Sequence, residues 1–138
     1  MDTAIKTLKT TLDKRSNERA RLRGLLALQR RFPKSPLVKG SIFSTLFEKH
    51  LRGATEEHLV AREPEKVVDL FHRLKRHEEG GRRLEAAGYH SHAGDLYAKG
   101  EYYAKAASAY NTAGMEDYSA RMLVKAKTQA ERNRRGHE

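Results

Sequence analysis

There is no cysteine in this sequence of 138 residues. That excludes a disulfide framework, cysteine-ligated zinc, iron–sulfur clusters and a cysteine nucleophile. Tryptophan is absent as well, and there are only three prolines. Long apolar runs are missing: the longest is Leu25-Leu26-Ala27-Leu28, far short of the ~18 residues a membrane helix needs. Residues 1–12 have no apolar core of signal-peptide length. The expectation is an intracellular protein, cytoplasmic by default, with membrane binding the weakest reading. β-branched residues are sparse and scattered, which disfavours strands.

What remains is a helix-forming mixture of Ala, Leu, Lys, Arg and Glu, with 38% hydrophobic and 33% charged residues. Intrinsic propensity points to an all-α fold of one modest domain. The net charge of +10 is unevenly placed. Residues 1–39 carry 11 Lys/Arg against 3 Asp/Glu, residues 40–87 carry 9 of each sign, and residues 88–138 carry 8 against 6. The positive field therefore belongs to the N-terminal segment, where it can steer an acidic protein, a nucleic acid or an anionic surface.

Ile5, Leu8, Leu12, Leu22, Leu25 and Leu26 recur at helical steps. Residues 1–31 read as one long basic amphipathic helix with a polar middle; the alternative is a break near residue 16, where Ser16-Asn17 can cap a second helix. Phe32-Pro33-Lys34-Ser35-Pro36 stops the pattern, because each proline pushes its predecessor out of the α region. Residues 32–40 are the expected linker, and a helical domain follows over residues 41–136. Within it a helix is expected over residues 41–51, with Ile42 and Leu46 inward, Phe43 and Phe47 as further inward candidates, and Arg52-Gly53 as its end. A short turn of helix begins at Thr55, and a stronger helix opens at Glu63-Pro64-Glu65, with Val67, Val68, Phe71 and Leu74 as its stripe and Gly80-Gly81 closing it.

From Arg82 the texture changes. Gly88, Gly100 and Gly114, spaced 12 and 14 apart, each precede a short Ala- and Tyr-rich amphipathic segment. A small residue follows each glycine (Ala93, Ala106, Ala120), and a large one comes after that (Tyr97, Tyr110, Leu123). The run Gly100-Glu-Tyr-Tyr-Ala-Lys-Ala-Ala-Ser-Ala-Tyr-Asn-Thr-Ala-Gly114 resembles the second helix of a tetratricopeptide-type repeat. It is similar also to the helical repeats of vesicle-coat and transport-complex subunits. The resemblance covers residues 83–130. It implies a short solenoid of antiparallel helix pairs, with small residues allowing close approach and large ones filling the gap opposite.

Chemistry-bearing patterns are few. The seven histidines include no HExxH and no i, i+4 pair bracketing a carboxylate, so no metal site is expected. There is no Gly-x-Ser-x-Gly elbow and no phosphate-cradling glycine loop, and neither an enzyme activity nor a cofactor is expected. Two sets of residues stand out. Lys14, Arg15, Arg19, Arg23, Arg30 and Arg31 form a basic patch; Arg15, Arg19 and Arg23 share one face if the helix is continuous. All six tyrosines lie in residues 89–118. Tyr97 and Tyr110 are expected in the core, while Tyr89, Tyr102 and Tyr103 are candidate groove contacts for a partner. The reading is a non-enzymatic, protein-binding adaptor or assembly subunit. The alternative is a nucleic-acid-associated accessory protein whose N-terminal arginines contact phosphates.

Overall fold

A computed structural model describes residues 3–12 and 17–136. Among these residues there are nine helices and no strand, as an all-α composition requires. The chain divides into two compact units, Met1–Arg62 and Glu63–Glu138.

The first unit contains α1 (Thr3–Thr11), α2 (Glu18–Arg31), α3 (Pro36–Lys39) and α4 (Ser41–Val60). The long N-terminal helix expected from the sequence is not formed. Asn17 takes an extended conformation and its side chain accepts from the Ala20 N–H at 2.7 Å, which starts a new helix at Glu18. The break is what lets α1 fold back on α2: a Cβ at Gly24 would collide with the side chain of Thr11. Ser35 caps α3 through Leu37 N, with Pro36 in the first turn, so the proline stretch itself nucleates one helical turn.

The second helix expected from the sequence ends later than Arg52-Gly53. α4 continues through Gly53 to Val60 because this glycine provides close approach rather than termination. A Cβ there would lie 2.6 Å from Glu18 Oε2. The buried stripe of α4 is Phe43, Phe47, His50, Leu51, Ala54 and Thr55, facing Leu22, Leu25 and Leu28 of α2. Ile42, expected inside, is 73% exposed. Each fully buried Leu or Phe of this interface contributes about 1.5–3 kcal/mol.

The second unit is built on a regular period. Its helices are α5 (Pro64–Arg73), α6 (His77–Ala86), α7 (His90–Lys99), α8 (Tyr103–Thr112) and α9 (Glu116–Arg135). Their first residues are 13 apart throughout, where the glycines alone suggest 12 and 14. Between helices the backbone turns through one left-handed residue, at Lys75, Gly88, Glu101 and Gly114, again 13 apart. Each of these turns carries the same pair of hydrogen bonds that closes a Schellman cap. Tyr102 N–H donates to Tyr97 O, for example, and Glu101 N–H to Ala98 O. The residue after the left-handed one closes this turn through its N–H and is also the N-cap of the next helix.

Gly80 and Gly81, expected to close α5, lie inside α6. They are there for packing: a Cβ on Gly81 would strike the Tyr97 ring, and one on Gly80 would strike Phe71 and Leu96. Gly94 of α7 meets the Tyr110 ring in the same way. Small residues thus occupy one position of α6, α7 and α8 (Gly81, Gly94, Ala107), and at the two glycines a tyrosine 16 positions later fills the space. Consecutive helices pack side by side, α5 also touching α7. A Glu78–Lys105 ion pair at 3.2 Å joins α6 to α8.

Candidate functional site

In the first unit the polar side chains converge where α2 begins. Helix geometry leaves the first N–H groups of α2 without intrahelical partners, and Glu57 of α4 supplies one. Its Oε2 accepts from Glu18 N–H at 2.6 Å, while its Oε1 takes Arg19 Nε at 3.3 Å. The Glu18 carboxylate in turn meets His50 Nδ1 at 2.6 Å and Arg21 at 3.1 Å. His50 is only 3% exposed. Burial pushes the Glu18 carboxyl up, but the His50 hydrogen bond and the charges of His50, Arg21 and Lys49 outweigh it and hold the group below its usual range.

Beside this cluster runs an open groove of ≈ 730 Å³ between α2 and α4, with Gly53 in its wall and Arg19, Lys49, Arg52, Glu56 and Glu57 among its lining. Groups of both signs line it. Of the cations lining it, Arg19 is held by Glu57.

Of the basic patch expected from the sequence, Arg19, Arg23, Arg30 and Arg31 lie on α2, which begins at Glu18. Lys14 and Arg15 lie outside the described residues. Arg19, Arg23 and Arg30 share one outer face of α2, but Arg19 and Arg30 stand roughly 17 Å apart along it. Arg31 turns aside, its guanidinium 5.1 Å from the centre of the Phe32 ring.

In the second unit Tyr97 and Tyr110 are buried, as their spacing suggests. Their hydroxyls donate to Glu85 Oε2 at 3.2 Å and Asp95 Oδ1 at 2.5 Å. Burial, followed by the neighbouring carboxylate, pushes the Tyr97 hydroxyl up to about 12 and raises that of Tyr110 as well. These two tyrosines pack the array and satisfy their polar ends locally.

The three candidate contact tyrosines differ among themselves. Tyr102 is 40% exposed at the turn before α8. Tyr103 is half-buried, with Lys125 Nζ 5.7 Å above its ring. Tyr89 is half-buried and edge-on to His92 at 6.0 Å. A groove of ≈ 450 Å³ crosses α5, α7 and α8, lined by Glu65, Asp69, His92, Asp95, Lys99 and Tyr110.

Two features escape a reading of the sequence. His72 Nδ1 and His77 Nε2 lie 2.9 Å apart. Burial, then His72 and Lys99, lower the pKa of His77. Among the described residues no group of three or more His, Cys, Asp or Glu could hold a metal ion. The second feature is on α9, where Tyr118, Leu123 and Val124 are exposed. The 13-residue register would have flagged Leu123, since it occupies the position that is buried in every earlier helix.

The chain matches no family model, and no curated protein and no solved structure matches it significantly. No helix among the described residues is long and apolar enough to cross a membrane.

Proposed function

We propose that this chain is a non-enzymatic adaptor or assembly subunit that holds a protein partner on its array of short helices, inside the cell. The observation carrying this reading is the construction of the second unit. Five helices repeat on one register and present side chains at fixed intervals, while large apolar groups at Tyr102, Tyr118, Leu123 and Val124 stay in solvent. An array of stacked helices creates extended binding surfaces of this kind, and exposed aromatics are favoured anchors at protein interfaces. The likeness to tetratricopeptide repeats is one of usage: here two helices span 26 residues, against 34 in a tetratricopeptide repeat.

A second reading has a specific observation in its favour. Arg23 and Arg30 are exposed on one face of α2, in the most basic part of the chain, and arginines in such a row can contact phosphates. Against it stand the engagement of Arg19 by Glu57 and the absence of an interleaved aromatic platform on that face.

The test is capture from a nuclease-treated lysate on the immobilised full chain, washed at 0.15 and 0.5 M salt. A protein retained stoichiometrically at both salts is expected. Recovery of nothing but nucleic acid in an untreated lysate, released by the higher salt, would replace the adaptor reading with the second one.

A further inference from the structure

The register of the second unit says what an added helix must look like. Gly81 of α6 receives the ring of Tyr97 from α7, and Gly94 of α7 receives Tyr110 from α8. In each case a small residue on one helix takes a large residue from the next. Carried forward by 13 residues, this small position falls on Ala107 of α8 and then on Ala120 of α9. Ala120 is exposed. Next to it lie Leu123, 56% exposed, and Val124, 66% exposed. The positions corresponding to Leu123 in the four preceding helices are Phe71, Leu84, Tyr97 and Tyr110, and all four are buried.

The opposite face of α9 is occupied. Ser119 and Met122 are buried, the Ser119 hydroxyl donates to Ala107 O at 2.8 Å, and Gln129 Nε2 donates to Glu101 O at 3.2 Å. The side carrying Ala120, Leu123 and Val124 is the one left in solvent.

Its charge narrows the choice further. Residues 120–135 carry six cations against one acid, Glu131; by helical position Lys127, Arg134 and Arg135 fall nearest the Leu123–Val124 side, while Lys125 lies over the Tyr103 ring of α8. A second copy of the chain presenting the same face would bring two such sets together. A nucleic acid would meet the cations but leave Leu123 and Val124 uncovered. The partner that satisfies both features is a helix with an apolar stripe and acidic flanks.

We propose that the solvent face of α9 docks an acidic amphipathic helix of a partner protein, which extends the array by one helix and sets a large side chain on Ala120 between Leu123 and Val124. This rests on the adaptor reading above and names its surface. The added helix removes the apolar patch from water, while its carboxylates set approach rate and orientation.

The experiment uses the full chain and a fluorescein-labelled designed peptide. The peptide carries the small-small-x-Leu-Tyr pattern of α7 (residues 93–97) with glutamate at its outward positions. A lysine version and a Tyr-to-Ser version serve as controls. Anisotropy should show the glutamate peptide binding about tenfold or more tightly than either control. Leu123→Glu should abolish binding with an unchanged thermal transition, since the side chain is mostly in solvent already.

Equal binding of the acidic and basic peptides, no binding at low salt, or binding indifferent to Leu123→Glu would each overturn the proposal. So would a wild-type dimer by sedimentation that Leu123→Glu makes monomeric, or an RNA 20-mer that displaces the glutamate peptide from α9. Failure here and failure of the adaptor reading separate cleanly. A protein captured equally by wild type and Leu123→Glu keeps the adaptor and removes α9 as its surface. Capture of no protein by either removes the adaptor.

Discussion

Left-handed backbone is comfortable for glycine and strained for other residues, by roughly 1–2 kcal/mol. Gly88 and Gly114 occupy two turns of the second unit at φ of 89° and 79°, but Lys75 and Glu101 occupy the equivalent turns at 58° and 64°. Set against the extra freedom that glycine has when unfolded, Lys75→Gly and Glu101→Gly should each stabilise the unit by about 0.5–1 kcal/mol. All six tyrosines lie in this unit, so the urea midpoint of tyrosine fluorescence reads it without interference, and an unmoved midpoint for both variants would count against the assigned turns. Glycines used for close approach should respond oppositely. Gly94→Ala places a Cβ 2.7 Å from Tyr110 Cε1 and should cost about 1–3 kcal/mol by overpacking, despite alanine's better helix propensity. This double use of glycine also explains what the sequence concealed. Gly88 and Gly114 were legible as turns, whereas Gly53, Gly80 and Gly81 look the same in sequence and serve helix contacts. With lysine and glutamate at two of the turns, the 13-residue period was hidden behind the irregular spacing of the visible glycines.

At the scale of the element, two of the helix-to-helix polar contacts make the units sensitive to acid in different ranges. Glu18 links α2 to α4 and has its pKa lowered from 4.5. Its stabilising effect is complete above the unfolded value and disappears as pH falls through the lower folded one. His77, at the start of α6 beside His72 at the end of α5, has its pKa lowered from 6.5. The folded state prefers it neutral, so its effect is complete above 6.5 and is lost as pH falls below that through the depressed value. The tyrosine-reported urea midpoint should therefore drop between pH 7.5 and 5, and less so in His77→Gln. Far-UV circular dichroism should show a further loss between pH 5 and 3.5, smaller in Glu18→Gln. A tyrosine midpoint flat from pH 7.5 to 5 would mean that the histidine pair does not oppose charging. Elements of this kind are partly legible: Val67, Val68 and Phe71 announced α5, and Tyr97 and Tyr110 announced the core. The extent of α4 was not, because Phe43 and Phe47 outcompete Ile42 for the interior only once α2 is placed against them. Nor was the Glu18–His50–Glu57 cluster, whose members are 32 and 39 residues apart and meet only through the packing of the two helices.

For the molecule as a whole, the charge distribution was legible in full and its use was not. Residues 1–62 hold 14 Lys/Arg against 6 Asp/Glu, and residues 63–138 hold 14 against 12. Charge alone would put nucleic-acid binding in the first unit, but geometry spends part of that charge internally. Arg19 is held by Glu57 and Arg21 by Glu18, which leaves Arg23 and Arg30 as the exposed cations of the outer face of α2. Two or three phosphate contacts give a log–log salt slope with a magnitude under about 3, whereas the six arginines and lysines of an intact patch would give about 4–5. Anisotropy of labelled single-stranded RNA titrated with the full chain should thus show weak binding near 20 mM salt and almost none near 150 mM. Arg23→Gln combined with Arg30→Gln should abolish the remainder, and Leu123→Glu on the other unit should leave it unchanged. A steep slope with tight binding at 150 mM salt would mean that the N-terminal cations act together on a phosphate backbone, and the protein-adaptor reading would give way to the nucleic-acid one.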